Sequence, residues 1–196
     1  LIEGNDPRLI DVGVLSKLPI GGLTSWQHAI HSEDAGRPIF SRDALEVEIL
    51  NPSRTETLFL LYINHLKSHF VDFRTDPVEG ARRNNATRKR QAETLARIIK
   101  QRTRPGGAYI ITGDMNDAVD SEYLSPLTSY TELSLVNALT NPTETQPFKE
   151  VVPTTAWTHR FKESGKPAHY ALFDHIWLSP KLAAAQQQAS IDRRTL

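Results

Sequence analysis

The stretch "AYIITGDMND" (108–117) passes from a run of apolar residues straight into two acids and an amide. The first half predicts a buried strand, and the second half predicts a loop where that strand ends. If the chain stays extended, Asp114 and Asn116 are two residues apart and point the same way. A carboxylate and an amide carbonyl suit Mg²⁺ or Mn²⁺, or a water molecule poised for attack. A plain turn is the alternative, because Gly, Asp and Asn all favour turns.

Other apolar runs predict further strands around this one. A nearly continuous apolar run at 58–66 is typical of a strand covered on both faces, whereas 44–50 alternates with a period of two. Further strands are predicted at 10–20, 155–161 and 170–179. Since a helical pattern lies between two of these strands, the order of elements favours an α/β fold with layers of sheet and helix.

The predicted helix covers residues 86–101, where apolar residues recur at helical spacing. We expect its apolar face to pack on a sheet and its charged face to lie in water. The buried residues of this prediction are Leu95, Ile98 and Ile99, and the solvated ones are Arg90, Arg97 and Lys100.

The composition excludes several classes of protein. Twenty-three basic residues balance 23 acidic ones, so no global charge attracts the chain to nucleic acid or to an anionic membrane. The chain has no cysteine, which excludes thiolate chemistry and disulfide bonds. No apolar run approaches the roughly 20 residues that span a bilayer. The localisation of the protein is not indicated by any of these features.

Polar residues also gather at the ends of two other predicted strands. "NHLKSH" (64–69) brings Asn64, His65 and Lys67 to the end of one apolar run, and Asp174 lies within the apolar "FDHIWLS" (173–179). A single buried His or Asp is more often structural than catalytic. Three such places, each near a strand end, indicate a functional site.

These motifs together resemble the endonuclease/exonuclease/phosphatase family, the deoxyribonuclease I-like metal-dependent phosphodiesterases. The resemblance rests on "NHLKS", "GDMND" and "FDHIWLSP" in this order, with a basic amphipathic helix between the first two. It implies a four-layered α/β sandwich with two central mixed β-sheets and a site at one end. It covers most of residues 1–196, which we interpret as one domain truncated at both ends.

The resemblance also implies roles for individual residues. Asp114 would orient or deprotonate the attacking water, Asn116 would help hold the water and the phosphate, and His65 would contact the phosphate. Asp114 and Asn116 would hold the Mg²⁺ or Mn²⁺ ion. Asp174 matches the family's penultimate motif, in which the aspartate orients a final histidine, so His175 on the opposite strand face is expected to be structural.

Two parts of the family pattern are absent from the sequence. No S-D-H motif follows Ser179, and no early strand carries the family's metal-binding glutamate. We therefore expect this chain to be a central fragment and, by itself, to be inactive.

Substrate contacts are predicted at Asn64, Lys67 and Arg88, the last within the basic "RRNNATRKR" (82–90). A solvated helix start is the alternative for that segment. A zinc site at His65 and His69 is disfavoured, because a strand precedes them and no third ligand is marked.

The expected function is the divalent-metal-dependent hydrolysis of a phosphodiester or a phosphate monoester. The substrate partner could be a nucleic acid, a phospholipid or a small molecule. The alternative is a binding or interaction module that keeps the fold without catalysis.

Overall fold

The computed structural model describes residues 2–129, 132–140, 142–145, 156–162 and 164–193. The longest helix is α1 (Pro77–Arg102), and two four-residue helices follow, α2 (Ser125–Thr128) and α3 (Pro180–Ala183). The described strands are β1 (Ile20–Ser25), β2 (Ala44–Leu50), β3 (Thr57–His65), β4 (Tyr109–Asp114), β5 (Val136–Asn137), β6 (Thr143–Thr145), β7 (His159–Phe161), β8 (His169–Ala171), β9 (Asp174–Leu178) and β10 (Ser190–Asp192).

One mixed six-stranded sheet forms the centre of the molecule, in the order β1-β2-β3-β4-β9-β5. Only the β3/β4 pair of this sheet is parallel, and α1 makes the crossover between these two strands. Two small two-stranded sheets, β10-β6 and β7-β8, accompany it within the described part of the chain. The expected α/β class with a mixed central sheet is confirmed.

The two faces of the central sheet are covered differently. On one face, α1 packs over Tyr62, Ile111 and Trp177 to form the larger apolar cluster. On the other face, Val12 of the N-terminal segment packs on β2 in a smaller cluster. Ile176 on that second face keeps 36% of its surface exposed. No described helix is long and apolar enough to cross a membrane.

Helix α1 begins nine residues earlier than the sequence pattern predicts. Its first turn is fixed by Asp76, whose carboxylate accepts a hydrogen bond from the Glu79 N–H at 2.8 Å, and by Pro77. Leu95, Ile98 and Ile99 are buried as predicted. Arg97 and Lys100 are exposed as predicted, whereas Arg90 is half-buried because it pairs with Asp34 at 3.0 Å.

Three strand predictions need correction. Residues 10–19 form only an isolated bridge between Val12 and Ile2, because their apolar side chains pack onto the sheet face, and the last predicted residue, Ile20, begins β1. The predicted strand 155–161 is reduced to β7, and residue 155 lies outside the described residues. The predicted strand 170–179 is split between β8 and β9, since the Thr158 hydroxyl accepts hydrogen bonds from the N–H groups of Phe173 and Asp174.

Candidate active site

Three of the predicted site residues lie side by side on adjacent strands. His65 of β3 is in register with Asp114 of β4, and Asp114 is in register with Asp174 of β9. The His65 Nε2 atom lies 3.6 Å from Asp114 Oδ2, and 26% and 35% of these side chains are exposed. Asp174 is exposed as well. We call His65, Asp114 and Asp174 the three-strand row.

Strand direction explains why these side chains meet. Strands β3 and β4 are parallel, so their carboxyl ends reach the same edge of the sheet, and the antiparallel β9 begins there. By strand alternation, the row points away from the face that α1 covers. His175 points to the α1 face, where it is buried and stacks on Trp177 at 4.9 Å between ring centroids.

Gly113 permits the close approach of β3 and β4 just before Asp114. Its φ of 128° is one that L side chains rarely adopt, and an added Cβ would overlap the carbonyl oxygen of Asn64. Beyond the strands, the Leu66 N–H donates to the Asp114 carbonyl at 2.9 Å, and the Met115 N–H donates to the Phe173 carbonyl at 2.8 Å. The three strand ends are therefore tied together by backbone hydrogen bonds.

Asn116 is placed next to Asp114 by a turn, and not by the extended strand that the sequence predicts. The chain does not stay extended, because β4 ends at Asp114 and Asn116 has a φ of 53°. Its backbone N–H donates to Asp114 Oδ1 at 2.8 Å, and its side-chain amide donates to the Leu66 carbonyl at 3.1 Å. The turn predicted here is therefore present, and it lies next to the candidate site residue Asp114. Asparagine tolerates the left-handed backbone of this turn, and the turn orients the Asp114 carboxylate.

Burial shifts the pKa values of two residues of the row, Asp114 and His65. Burial raises the pKa of the Asp114 carboxyl, and the charge of Asp174 raises it further, while the backbone hydrogen bond from Asn116 lowers it. Burial also lowers the pKa of the His65 imidazole, and the positive charge of Arg42 adds to this effect. These shifts favour the neutral form of the His65 ring and make Asp114 a stronger base than an ordinary aspartate.

Two residues predicted to bind substrate are buried in the structure. Asn64 is 1% exposed on the α1 side of the sheet, and its amide donates to the Tyr62 carbonyl at 3.2 Å. The Arg88 side chain is fully buried, where it donates to the Lys67 carbonyl at 3.0 Å and pairs with Asp117 at 3.1 Å. Neither side chain is open to a substrate in this structure, because Asn64 is covered on the α1 side of the sheet and Arg88 is used to hold the Lys67 and Asp117 loops.

Lys67 is half-buried and is the second residue after β3. Burial lowers the pKa of its amine, and the positive charges of Arg42, Arg8 and Arg88 lower it further. Arg8 and Arg42 pair with Asp6, and Arg88 pairs with Asp117, so carboxylates balance these three cations.

Sequence reasoning missed two residues that organise the site. Arg42 is 3% exposed, donates to the Leu66 carbonyl at 3.1 Å and pairs with Asp6 at 3.0 Å. Asp117 pairs with Arg88, and its carbonyl lies 2.8 Å from His175 Nε2. The position of Asp117 inside "GDMND" was a signal for its role, whereas nothing in the sequence around Arg42 marked it.

A divalent cation fits the donors at this site only in part. Within the described ranges, no group of three or more His, Asp or Glu side chains is arranged to hold a metal ion. Burial is the main cause of the raised pKa of Asp114, and the charge of Asp174 adds to it; a cation between the two carboxylates would relieve this repulsion. Mg²⁺ commonly uses one or two carboxylates and completes its shell with water and substrate phosphates, which matches this donor set.

Comparisons with known proteins agree with the motifs. A sequence model of the Endonuclease/Exonuclease/phosphatase family matches residues 4–195. Similar solved structures include the human Nocturnin catalytic domain with bound sulfate anion, at 16% identity and a TM-score of 0.47, covering 83% of this chain and 48% of that one. Beta toxin from Staphylococcus aureus is similar at 12% identity and a TM-score of 0.49, covering 85% of this chain and 52% of that one.

A third similar structure is sphingomyelinase C from Streptomyces griseocarneus, at 13% identity and a TM-score of 0.44, covering 84% of this chain and 66% of that one. The chain spans about half the length of the first two structures. No curated protein matches the chain.

Proposed function

The chain belongs to the Endonuclease/Exonuclease/phosphatase family, and we propose that it hydrolyses a phosphodiester or a phosphate monoester with a bound Mg²⁺ or Mn²⁺ ion. The observation that carries this proposal is the three-strand row, in which the His65 ring lies 3.6 Å from the half-buried Asp114 carboxylate. Lys67, half-buried two residues after His65, adds a positive charge for an anionic ester.

Each residue of the row has a distinct part in this proposal. Asp114 orients the attacking water and accepts its proton, since burial raises the pKa of this carboxyl towards that of a useful base. His65 donates a hydrogen bond from its neutral ring to a nonbridging phosphate oxygen. Asn116 holds the water and the phosphate next to Asp114, and Lys67 adds positive charge. Asp174 orients a further histidine, as it does in the family pattern.

Asp114 and Asn116, with Asp174 beside them, would hold the metal ion. The ion would supply charge stabilisation for the phosphate oxygens and lower the pKa of a bound water. The Asn116 amide already donates to the Leu66 carbonyl, which leaves its own carbonyl oxygen for this purpose.

Substitution of Asp114 tests the proposal. Asp114→Asn removes the proton acceptor and a metal ligand, so in a chain lengthened at both ends we expect turnover of an aryl phosphodiester and an aryl phosphate monoester with Mg²⁺ or Mn²⁺ to fall by at least about 10²-fold. The matched control is Asp120→Asn, an exposed aspartate of the following loop, which should keep its activity. Equal activity of the Asp114 variant and the wild type would overturn the proposed role.

A measurement of metal binding helps to distinguish the proposed hydrolase from the alternative, a binding module without catalysis. Calorimetric titration with Mn²⁺ should show binding by the wild-type chain and loss of binding in Asp114→Asn. Metal binding without turnover of either ester, even in a longer chain, would favour the binding module.

We include in this proposal a low activity of the 196-residue chain by itself. Its sequence carries neither the glutamate-bearing early strand nor the S-D-H motif of the family pattern. The test compares this chain with one lengthened at both ends, on the same two esters. Turnover by the short chain within about tenfold of the longer chain would contradict this expectation. It would show that residues of this chain already supply the functions expected of the family's glutamate and S-D-H histidine.

A further inference from the structure

The loop between β3 and α1 holds two phenyl rings in water. Phe70 is 69% exposed and Phe73 is 86% exposed. Both residues follow closely after His65 and Lys67, so the exposed rings belong to the same segment as the candidate active site. We call residues 66–76 the aromatic loop. Exposed large apolar side chains that are grouped in this way mark interaction surfaces.

The backbone of the aromatic loop is fixed by contacts with α1 and within the loop. The Asn84 amide of α1 donates to the Phe70 carbonyl at 2.8 Å. Within the loop, the Thr75 N–H donates to the Asp72 carbonyl at 2.9 Å. Val71 packs so closely against Gly80 of α1 that a Cβ there would overlap it. The loop therefore presents the two rings from an anchored backbone, which limits the entropy lost when a ligand binds.

A row of stacked rings connects the aromatic loop to the site. His69 stacks on Phe173 at 5.5 Å between centroids, and Phe173 stacks on His159 at 5.2 Å. Phe173 directly precedes Asp174 of the three-strand row. The Cα of Phe73 is at most about 14 Å from that of His69, because four residues span no more than about 3.6 Å each. Rings thus extend from the acidic strand ends to the exposed loop.

Cationic side chains accompany these rings. The Arg74 guanidinium lies over the Phe73 ring at 5.1 Å from its centroid. Arg82 and Arg83 in the first turns of α1 are 72% and 59% exposed, and both pair with Glu79. Lys67 lies at the other end of the loop. Aromatic rings interleaved with cations are the combination that single-stranded nucleic acids bind, with bases on the rings and phosphates near the cations.

We propose that Phe70 and Phe73 stack against the bases of a single-stranded nucleic acid whose backbone leads towards the three-strand row. The inference deepens the proposed function and rests on it for the chemistry at the row. A bilayer surface fits less well, because Asp72 lies between the two phenylalanines and Asp76 and Glu79 follow them. Inserting the rings into lipid would desolvate these carboxylates, whereas base stacking leaves them in water.

Binding to a fluorescein-labelled 12-residue oligothymidylate, followed by anisotropy in EDTA, tests the inference without any turnover. Phe70→Ala and Phe73→Ala should each weaken binding roughly 5- to 150-fold, the range for the loss of one stacked base. Phe73→Leu keeps an apolar side chain but removes the ring, so it should weaken binding similarly. Leu15→Ala is the matched control, since Leu15 is fully exposed on the N-terminal segment and should bind like the wild type.

Three outcomes would overturn the inference. The first is wild-type binding by the Phe73→Leu variant, which would show that the ring does not stack. The second is the absence of any binding of the oligonucleotide to the wild-type chain. The third is sedimentation with phosphatidylcholine and phosphatidylserine vesicles that is lost in both alanine variants, which would assign the loop to a lipid surface. Failure of the proposed function would appear instead as the absence of ester turnover in a chain lengthened at both ends, with oligonucleotide binding intact.

Discussion

Gly113 shows how one residue without a side chain sets the geometry of the candidate site. Two separate conditions act on it, a positive φ and the nearby carbonyl oxygen of Asn64. Either condition alone disfavours a Cβ at this position. Because glycine has no Cβ, β3 and β4 can approach each other closely directly beside Asp114.

Substitution of Gly113 by alanine should therefore destabilise the protein more than the backbone angle alone requires. The positive φ costs about 1–2 kcal/mol, and the overlap with Asn64 adds about 1–3 kcal/mol. Gly36→Ala is the matched control, because Gly36 has a φ of 80° with nothing within 4 Å of an added Cβ. Urea unfolding should give a larger loss of unfolding free energy for Gly113→Ala. Equal losses would mean that the strands separate easily.

At the scale of elements, the aromatic loop and α1 form one unit because Val71 occupies the space that a side chain at position 80 would need. Glycine inside a helix normally costs about 1 kcal/mol relative to alanine. Here that cost is offset by the close packing of the loop.

A double-mutant cycle tests this coupling between loop and helix. In the wild-type background, Gly80→Ala should lower the unfolding free energy or leave it unchanged, since overpacking costs about 1–3 kcal/mol. In a Val71→Ala background the same change should stabilise the protein by up to about 0.5–1 kcal/mol, because the helix propensity is then opposed only by the Thr75 methyl group, 3.2 Å from the added Cβ. The cycle is measured by urea unfolding. The same effect of Gly80→Ala in both backgrounds would contradict the coupling.

The predictability of these elements follows from the forces that form them. Strands β3 and β4 were predictable because burial leaves apolar runs in the sequence, and β2 was predictable from its alternation of apolar and polar residues. The first nine residues of α1 were not, since a capping aspartate and a proline fix them without any apolar pattern. The strand ends also indicated His65, Asp114 and Asp174. Arg42 was missed because the burial of a charged side chain depends on partners distant in the sequence.

At the scale of the whole molecule, an ion pair links the N-terminal segment to the candidate site. Asp6 pairs with Arg42, and Arg42 donates to the Leu66 carbonyl, which also accepts the Asn116 amide. The side chains of Asp6 and Arg42 are only 3% and 4% exposed. The first residues of the described chain therefore help hold the loops that follow β3 and β4, and their charge state should affect the stability of the protein.

The pH dependence of stability in Asp6→Asn measures this link. Hydrogen bonds from Arg8, with the charge of Arg42, hold the pKa of Asp6 well below its usual value of 3.8. A lowered folded-state pKa contributes stability above the unfolded value and loses it as the pH falls. We expect Asp6→Asn to lose about 1.5–3 kcal/mol of unfolding free energy at pH 7 and 5, with a smaller loss at pH 3. Asp120→Asn, at an exposed position, should lose little at any of these values. A loss for Asp6→Asn that stays constant from pH 7 to pH 3 would show that the carboxylate charge does not stabilise this link and that only the shape of the side chain matters.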